Sequence, residues 1–327
     1  MGRRRSALPG GMPEAFTIAD ARNRGIRPGR LDGDDLIRPH HGVRAIPCGP
    51  PAHDEVLTER ERYWRDVRDR HLQRMRHYLP VLPAGGYFCG PTAAFIWGIP
   101  VPPREWPDLH IGVPRPQRSP RRPGVAGHQH SAGYVRTRLA EGVPVTDPAS
   151  TWATLGGLLG VDDLVVVADH VLHIPRMPGR LRRLDETALA TRPELELLAD
   201  RKGRPGAPRL RQALELARTA SASPPETRVR LLMHDAGLPE PVLDHDVYDD
   251  RGRLLGCSEL AYPEFRVAIE YEGDGHLTPA QLRRDVDKYQ SYAEAGWTTV
   301  RLTSEHVFRR PGEAIRRIRH ALRTARP

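Results

Sequence analysis

Apolar spacing divides the chain into short, often interrupted elements, mostly helical up to about residue 236 and alternating between strand and helix beyond it. Thr17 to Arg22 predicts a helix, Gly25-Ile-Arg-Pro28 a turn, Arg30 to Ile37 a second helix and Gly42 to Ile46 a strand. Helix, turn, helix and wing is the order of a small winged helix-turn-helix, and a helical hairpin without a DNA role fits the same residues. Residues 57–78 predict a charged surface helix with Val56, Tyr63, Val67 and Leu72 as its apolar stripe. Further helices start at Pro91 and end at Gly98, start at Pro148 behind the cap Asp147, and run from Val161 to Leu172; Leu109 to Val113 predicts a strand. Residues 201–208, Arg-Lys-Gly-Arg-Pro-Gly-Ala-Pro, predict a linker, with a helix from Arg209 to Ala220 behind it. From Pro225 the order becomes helix (Glu226 to Ala236), three strands (Val242 to Tyr248, Leu254 to Ala261, Phe265 to Glu272), helix (Pro279 to Ala295), strand (Trp297 to Leu302) and helix (Pro311 to Ala325).

The third of those strands carries unusual chemistry. Val267, Ile269 and Tyr271 alternate with Ala268, Glu270 and Glu272, so period-two geometry puts both glutamates on one face, ahead of the turn Gly273-Asp-Gly-His276. Neighbouring carboxylates repel unless water, a proton or a cation intervenes. A half-exposed edge strand with solvated glutamates satisfies the same pattern.

The 327-residue chain is long enough for two or three domains, and 33 prolines and 30 glycines make it loop-rich. No apolar run is long enough to span a membrane and no secretory signal follows Met1-Gly-Arg-Arg-Arg, so the expectation is a cytoplasmic protein with no membrane partner. Cys48, Cys89 and Cys257 are scattered and odd in number, which argues against a disulfide framework or a cysteine zinc site. A net charge of +9 favours a polyanionic partner. Only Lys202 and Lys288 are lysines, so any lysine chemistry has two candidates. His128-Gln-His130 has ligand spacing on a strand but no completing ligand nearby and reads as surface histidines; Asp169-His170 reads as a satisfied boundary pair. Residues 224–308 hold nine basic against sixteen acidic side chains, net −7, whereas 309–326 hold seven arginines and Glu313, net +6. An acidic centre and a basic rail are thus separated along the chain.

The order αβββαβ resembles the core of the PD-(D/E)XK nuclease fold. The segment from Pro224 to Leu322 resembles the very-short-patch-repair-like endonuclease domains of many actinobacterial proteins, through its Pro-Glu-Thr-Arg helix start, Gly237-Leu-Pro-Glu-Pro, Glu270-Tyr-Glu-Gly, His276, Arg284-Asp285 and Gly296-Trp-x-x-Val-Arg301. The preceding region resembles AbiEi-type antitoxins in the Gly42-Val turn, Trp97-Gly-Ile-Pro and Asp147-Pro-Ala-Ser-Thr-Trp. The likeness implies an α/β (α+β) multidomain protein: a winged-helix-like module (1–50), an AbiEi-like mixed middle domain (51–200), a linker and helix (201–223) and a restriction-endonuclease-like domain (224–327).

It further implies a DNA endonuclease using Mg2+ or Mn2+, in repair or in defence against phage and mobile elements. Glu259, Glu270 and Glu272 would hold the metal, while Glu226, His276 and Lys288 join the catalytic set. Arg283, Arg284, Arg309, Arg310, Arg316 and Arg317 would meet DNA phosphates. Two departures from the family pattern matter: Glu259 replaces the usual aspartate, and Glu272 stands where the superfamily has lysine, leaving Lys288 or His276 to substitute. A catalytically degenerate DNA-binding regulator or antitoxin is the alternative, with a protein-interaction module third. A homodimer, or a toxin or defence partner, stays open.

Overall fold

The computed structural model describes residues 7–49, 58–175, 187–221, 223–273 and 279–325. They form two compact units that divide between Thr151 and Trp152, each mixing helices with sheet, so the chain is a multidomain α+β protein.

In the first unit, β1 (Ala15–Thr17) pairs antiparallel with β2 (Val43–Ala45) beside α1 (Ile18–Asn23). Thr17 and Asp20 cap α1 reciprocally. The second helix predicted over 30–37 does not form, which removes the helix-turn-helix expected there. Pro28–Arg30 make a single 3-10 turn, and the chain then winds through turns until Ile37 bridges Ala45. The reason is local: the Arg30 guanidinium ties back to Asp35 at 2.6 Å, and the buried Arg44 donates to the Leu31 carbonyl at 2.6 Å. Both contacts hold backbone that a helix would have to straighten.

The charged helix α2 (Glu59–Tyr78) and α3 (Gly90–Trp97) follow, with Gly98 ending α3 in the left-handed conformation. Around them lies a five-stranded sheet of β3 (Tyr87–Phe88), β4 (Leu109–Pro114), β5 (Val125–His130), β6 (Thr137–Ala140) and β7 (Val143–Thr146), in the order β5-β4-β3-β7-β6. Phe88, Leu109, Ile111 and Val145 build its core with Met75 and Tyr78 of α2. His128 and His130 are not the surface histidines expected. His128 meets His110 at 3.0 Å, and Tyr87 Oη lies 2.7 Å from His130 Nδ1. Burial first, with His128 and His71 adding to it, pushes His110 down to about 3.

After α4 (Pro148–Leu155), the second unit continues with α5 (Val161–Leu172), α6 (Arg192–Ala199), α7 (Ala207–Leu216) and α8 (Pro224–Asp235). The predicted linker at 201–208 is anchored at Arg204 and Gly206, while Arg201, Lys202 and Gly203 are exposed. A Cβ on Gly206 would sit 1.8 Å from the Gly156 carbonyl oxygen, one on Gly156 would strike Leu210 at 2.7 Å, and Arg204 is buried. Further on, Asp169 of α5 is buried in an ion pair with Arg230 of α8 at 2.8 Å. It also accepts from the Thr227 hydroxyl and from the backbone N–H of Arg218. Arg228 adds contacts to Asp162 and Asp163. Helices α5 to α7 and the elements from α8 onward therefore belong to one unit, without the division expected at residue 224.

The remaining elements are β8 (Val242–Tyr248), β9 (Leu254–Tyr262), β10 (Val267–Glu272), α9 (Pro279–Glu294), β11 (Thr298–Thr303) and α10 (Pro311–Thr324). Their sheet runs β11-β10-β9-β8, antiparallel except for the β10–β11 pair that α9 joins in parallel. The predicted order is the observed one. Leu260, Tyr262, Val267, Ile269, Val300 and Leu302 pack with Val229 and Met233 of α8 and Ile315 and Ile318 of α10; Val247 and Ala268 pack with Tyr292 of α9.

Candidate functional site

The site grows out of an interruption between two strands. β9 and β10 pair only at Tyr262–Val267, Ala261–Ala268 and Leu260–Ile269. Two residues further along β10, the backbone N–H of Tyr271 donates to Glu259 Oε2 at 2.7 Å. On the other side of β9, Asp244 takes a left-handed conformation (φ 50°), and the β8–β9 ladder skips from Leu243–Leu260 to His245–Ser258. A non-glycine residue there carries strain of the kind that clusters at functional positions. Beyond the interruption, Gly256 approaches α9 so closely that a Cβ would meet Tyr292 Oη at 3.0 Å and Lys288 Cγ at 3.4 Å.

Lys288 uses that room. Its ammonium lies 3.0 Å from Glu270 Oε1, and Glu270 itself is only 4% exposed. That carboxylate oxygen is buried and has no properly directed hydrogen bond, so the pair is held by charge. Burial raises the Glu270 pKa, against which Lys288 pulls. Glu259 is pushed up to about 8, by burial first, then by Glu226, with Glu270 adding to it, so it carries a proton at neutral pH. Glu226, near the start of α8, is buried as well. Three carboxyl groups and one ammonium thus lie close together where β9 and β10 separate.

Glu272 stands apart from this set. Tyr289 donates to its Oε1 at 2.7 Å and Arg301 at 2.8 Å. Burial would lift this carboxyl, yet those hydrogen bonds outweigh it and hold the group below the usual glutamate range. The structure therefore brings together Glu226, Glu259, Glu270 and Lys288, and engages Glu272 in a neighbouring ion pair. Tyr289 and Arg301 belong to the surroundings although sequence spacing gave them no role. Glu270 and Arg301 are register partners across β10 and β11, a relation that only the parallel crossover creates. His276 lies outside the described residues.

The donors fit a hard divalent cation in one respect, that all are carboxylate oxygens, but Glu270 Oε1 is already met by the Lys288 ammonium at 3.0 Å. Among the described residues no three acidic, histidine or cysteine side chains already stand at the spacing of a metal centre. The expected DNA-contact arginines are dispersed. Arg283 and Arg284 are exposed on α9. Arg316 and Arg317 clasp Glu313 at 2.6 Å and 2.8 Å, and Arg309 sits 3.7 Å from Glu305. Among the described residues no helix is long and apolar enough to cross a membrane.

No protein-family profile matches this chain. Two curated proteins of Mycobacterium tuberculosis, the uncharacterized proteins MT2308 of strain CDC 1551 and Rv2248 of strain H37Rv, are each 34% identical to it over 156 residues, 46% of this chain. The chain spans 57% of the length of these relatives. A crystal structure of the RV2827C protein of the same species is similar at 18% identity and a TM-score of 0.35, covering 72% of this chain and 84% of that one.

Proposed function

We propose that the second unit is a metal-dependent DNA endonuclease whose centre is Glu226, Glu259, Glu270 and Lys288. The observation that supports this most is the convergence of Glu259, Glu270 and Lys288 where β9 and β10 part. Glu259 and Glu270, assisted by Glu226, would hold Mg2+ or Mn2+. Once bound, such an ion lowers the pKa of an attacking water and offsets charge on the phosphate. The chain's own residues do the rest. Glu259 gives up its proton when cation charge replaces it, the Tyr271 N–H keeps that carboxylate aimed into the strand gap, and Lys288 brings positive charge to the Glu270 side. The superfamily motif places a lysine two residues beyond its glutamate; here that position is Glu272, and the ammonium arrives from α9.

A second reading is supported by the same contacts. Lys288 already neutralises Glu270, and Glu272 is engaged by Arg301, as in a DNA-binding regulator that has lost catalysis. Incubating plasmid and mismatched duplex with Mg2+ or Mn2+ separates the two. Nicking that disappears in Glu270→Ala supports the nuclease; intact DNA with salt-dependent binding leaves the regulator.

A further inference from the structure

Arg301 is an exposed cation beside the carboxylate cluster, and its guanidinium is held by two neighbours. It projects from β11 as the register partner of Glu270, on the edge strand next to the one that carries the cluster. Its Nε donates to Glu272 Oε1 at 2.8 Å, and its guanidinium carbon lies 4.9 Å from the centre of the Tyr289 ring. Tyr289 donates to the same glutamate oxygen, so Glu272, Tyr289 and Arg301 form a closed triangle. Glu272 is mostly buried, with 18% of its side chain exposed, whereas 54% of the Arg301 side chain is exposed. The anchor is thus inside and the cation outside. Among the described residues, only the Nε of this guanidinium donates a hydrogen bond, which leaves the terminal nitrogens as a fork of donors. Lys288 lies near the same ring, its nitrogen 5.5 Å from the Tyr289 centre.

We infer that the Arg301 guanidinium, held in place by Glu272 and Tyr289, is a binding site for one backbone phosphate of the nucleic acid, beside the carboxylate cluster. This rests on the nuclease reading for the identity of the polyanion, but not on catalysis. It also assigns a role to Glu272: the glutamate at the position of the superfamily lysine retains an arginine, so a cation faces the substrate from a neighbouring strand. A surface ion pair with no further task would not need its acid buried and its base supported on an aromatic face.

The test measures binding of a short DNA duplex by fluorescence anisotropy in Ca2+ across a salt series, with Mg2+ cleavage followed separately. Arg301→Gln is expected to weaken binding about tenfold and to lower the slope of log affinity against log salt by about one. Arg301→Lys, which keeps the charge and loses the fork, is expected to restore the slope and only part of the affinity. Glu272→Gln, which frees the guanidinium, is expected to weaken binding about threefold with the slope retained. Arg301 is largely exposed, so melting temperatures near wild type should accompany the two Arg301 substitutions. Wild-type affinity and slope in Arg301→Gln, alongside cleavage by the wild type, would overturn this site and leave the nuclease reading intact. A wild type that neither binds nor cleaves the duplex would overturn both.

Discussion

Glu259 is where sequence and environment disagree most, and the disagreement can be titrated. Its carboxyl is pushed up to about 8 from an ordinary value of 4.5. The folded chain therefore keeps a proton that the unfolded chain releases between those two values. The stability this proton provides is complete below pH 4.5 and is lost as pH rises through about 8. Glu259→Gln, a permanent mimic of the protonated form, should raise the melting temperature by several degrees at pH 8.5 and little at pH 5, and it should abolish cleavage. An equal shift at both pH values would mean that Glu259 is not held protonated. The alternation of β10 and the charge of Glu259 were legible in the sequence. The hydrogen bond from Tyr271 was not, because it depends on a ladder that stops early and on Asp244, whose left-handed backbone no local pattern announces.

Among the elements, the ones read correctly carry their own signals. Gly98 and Gly237 end helices, Pro311 begins one, and Val161 to Leu172 shows helical spacing throughout. The β6–β7 hairpin was missed because its turn, Glu141-Gly142, reaches positive φ with a glutamate in place of the usual asparagine or aspartate. The 201–208 stretch misled for a different reason. Glycine and proline mark linkers, but they also mark places where backbones touch, and here Gly206 rests on the Gly156 carbonyl. Gly206→Ala should cost more than about 2 kcal/mol, since φ is 75° and backbone blocks the new methyl. Chemical denaturation measures it. The α5–α8 ion pair makes a stronger demand. Arg230→Ala leaves Asp169 buried without its main cation, and about 3–5 kcal/mol of stability should go with it.

At the scale of the molecule, chain order and structural division part company. The helix that carries Glu226 is bonded through Thr227, Arg228 and Arg230 to a helix some sixty residues earlier. A fragment of residues 152–327 should fold, while one of residues 224–327 should melt without cooperativity, because Arg230 would lose Asp169. Circular dichroism of the two fragments decides this, and a cooperative shorter fragment would restore the boundary expected from composition.

The near absence of lysine offers an experimental handle on the candidate site. Lys202 is exposed, whereas Lys288 is confined between Glu270 and two tyrosine rings. Amine-selective acylation should therefore mark two side chains at very different rates, with Lys202 as the internal standard. Any ligand that draws Glu270 away from its ammonium will register as a change in the slower reaction. The chain thus carries a built-in chemical reporter of occupancy that needs no substitution and no knowledge of the substrate.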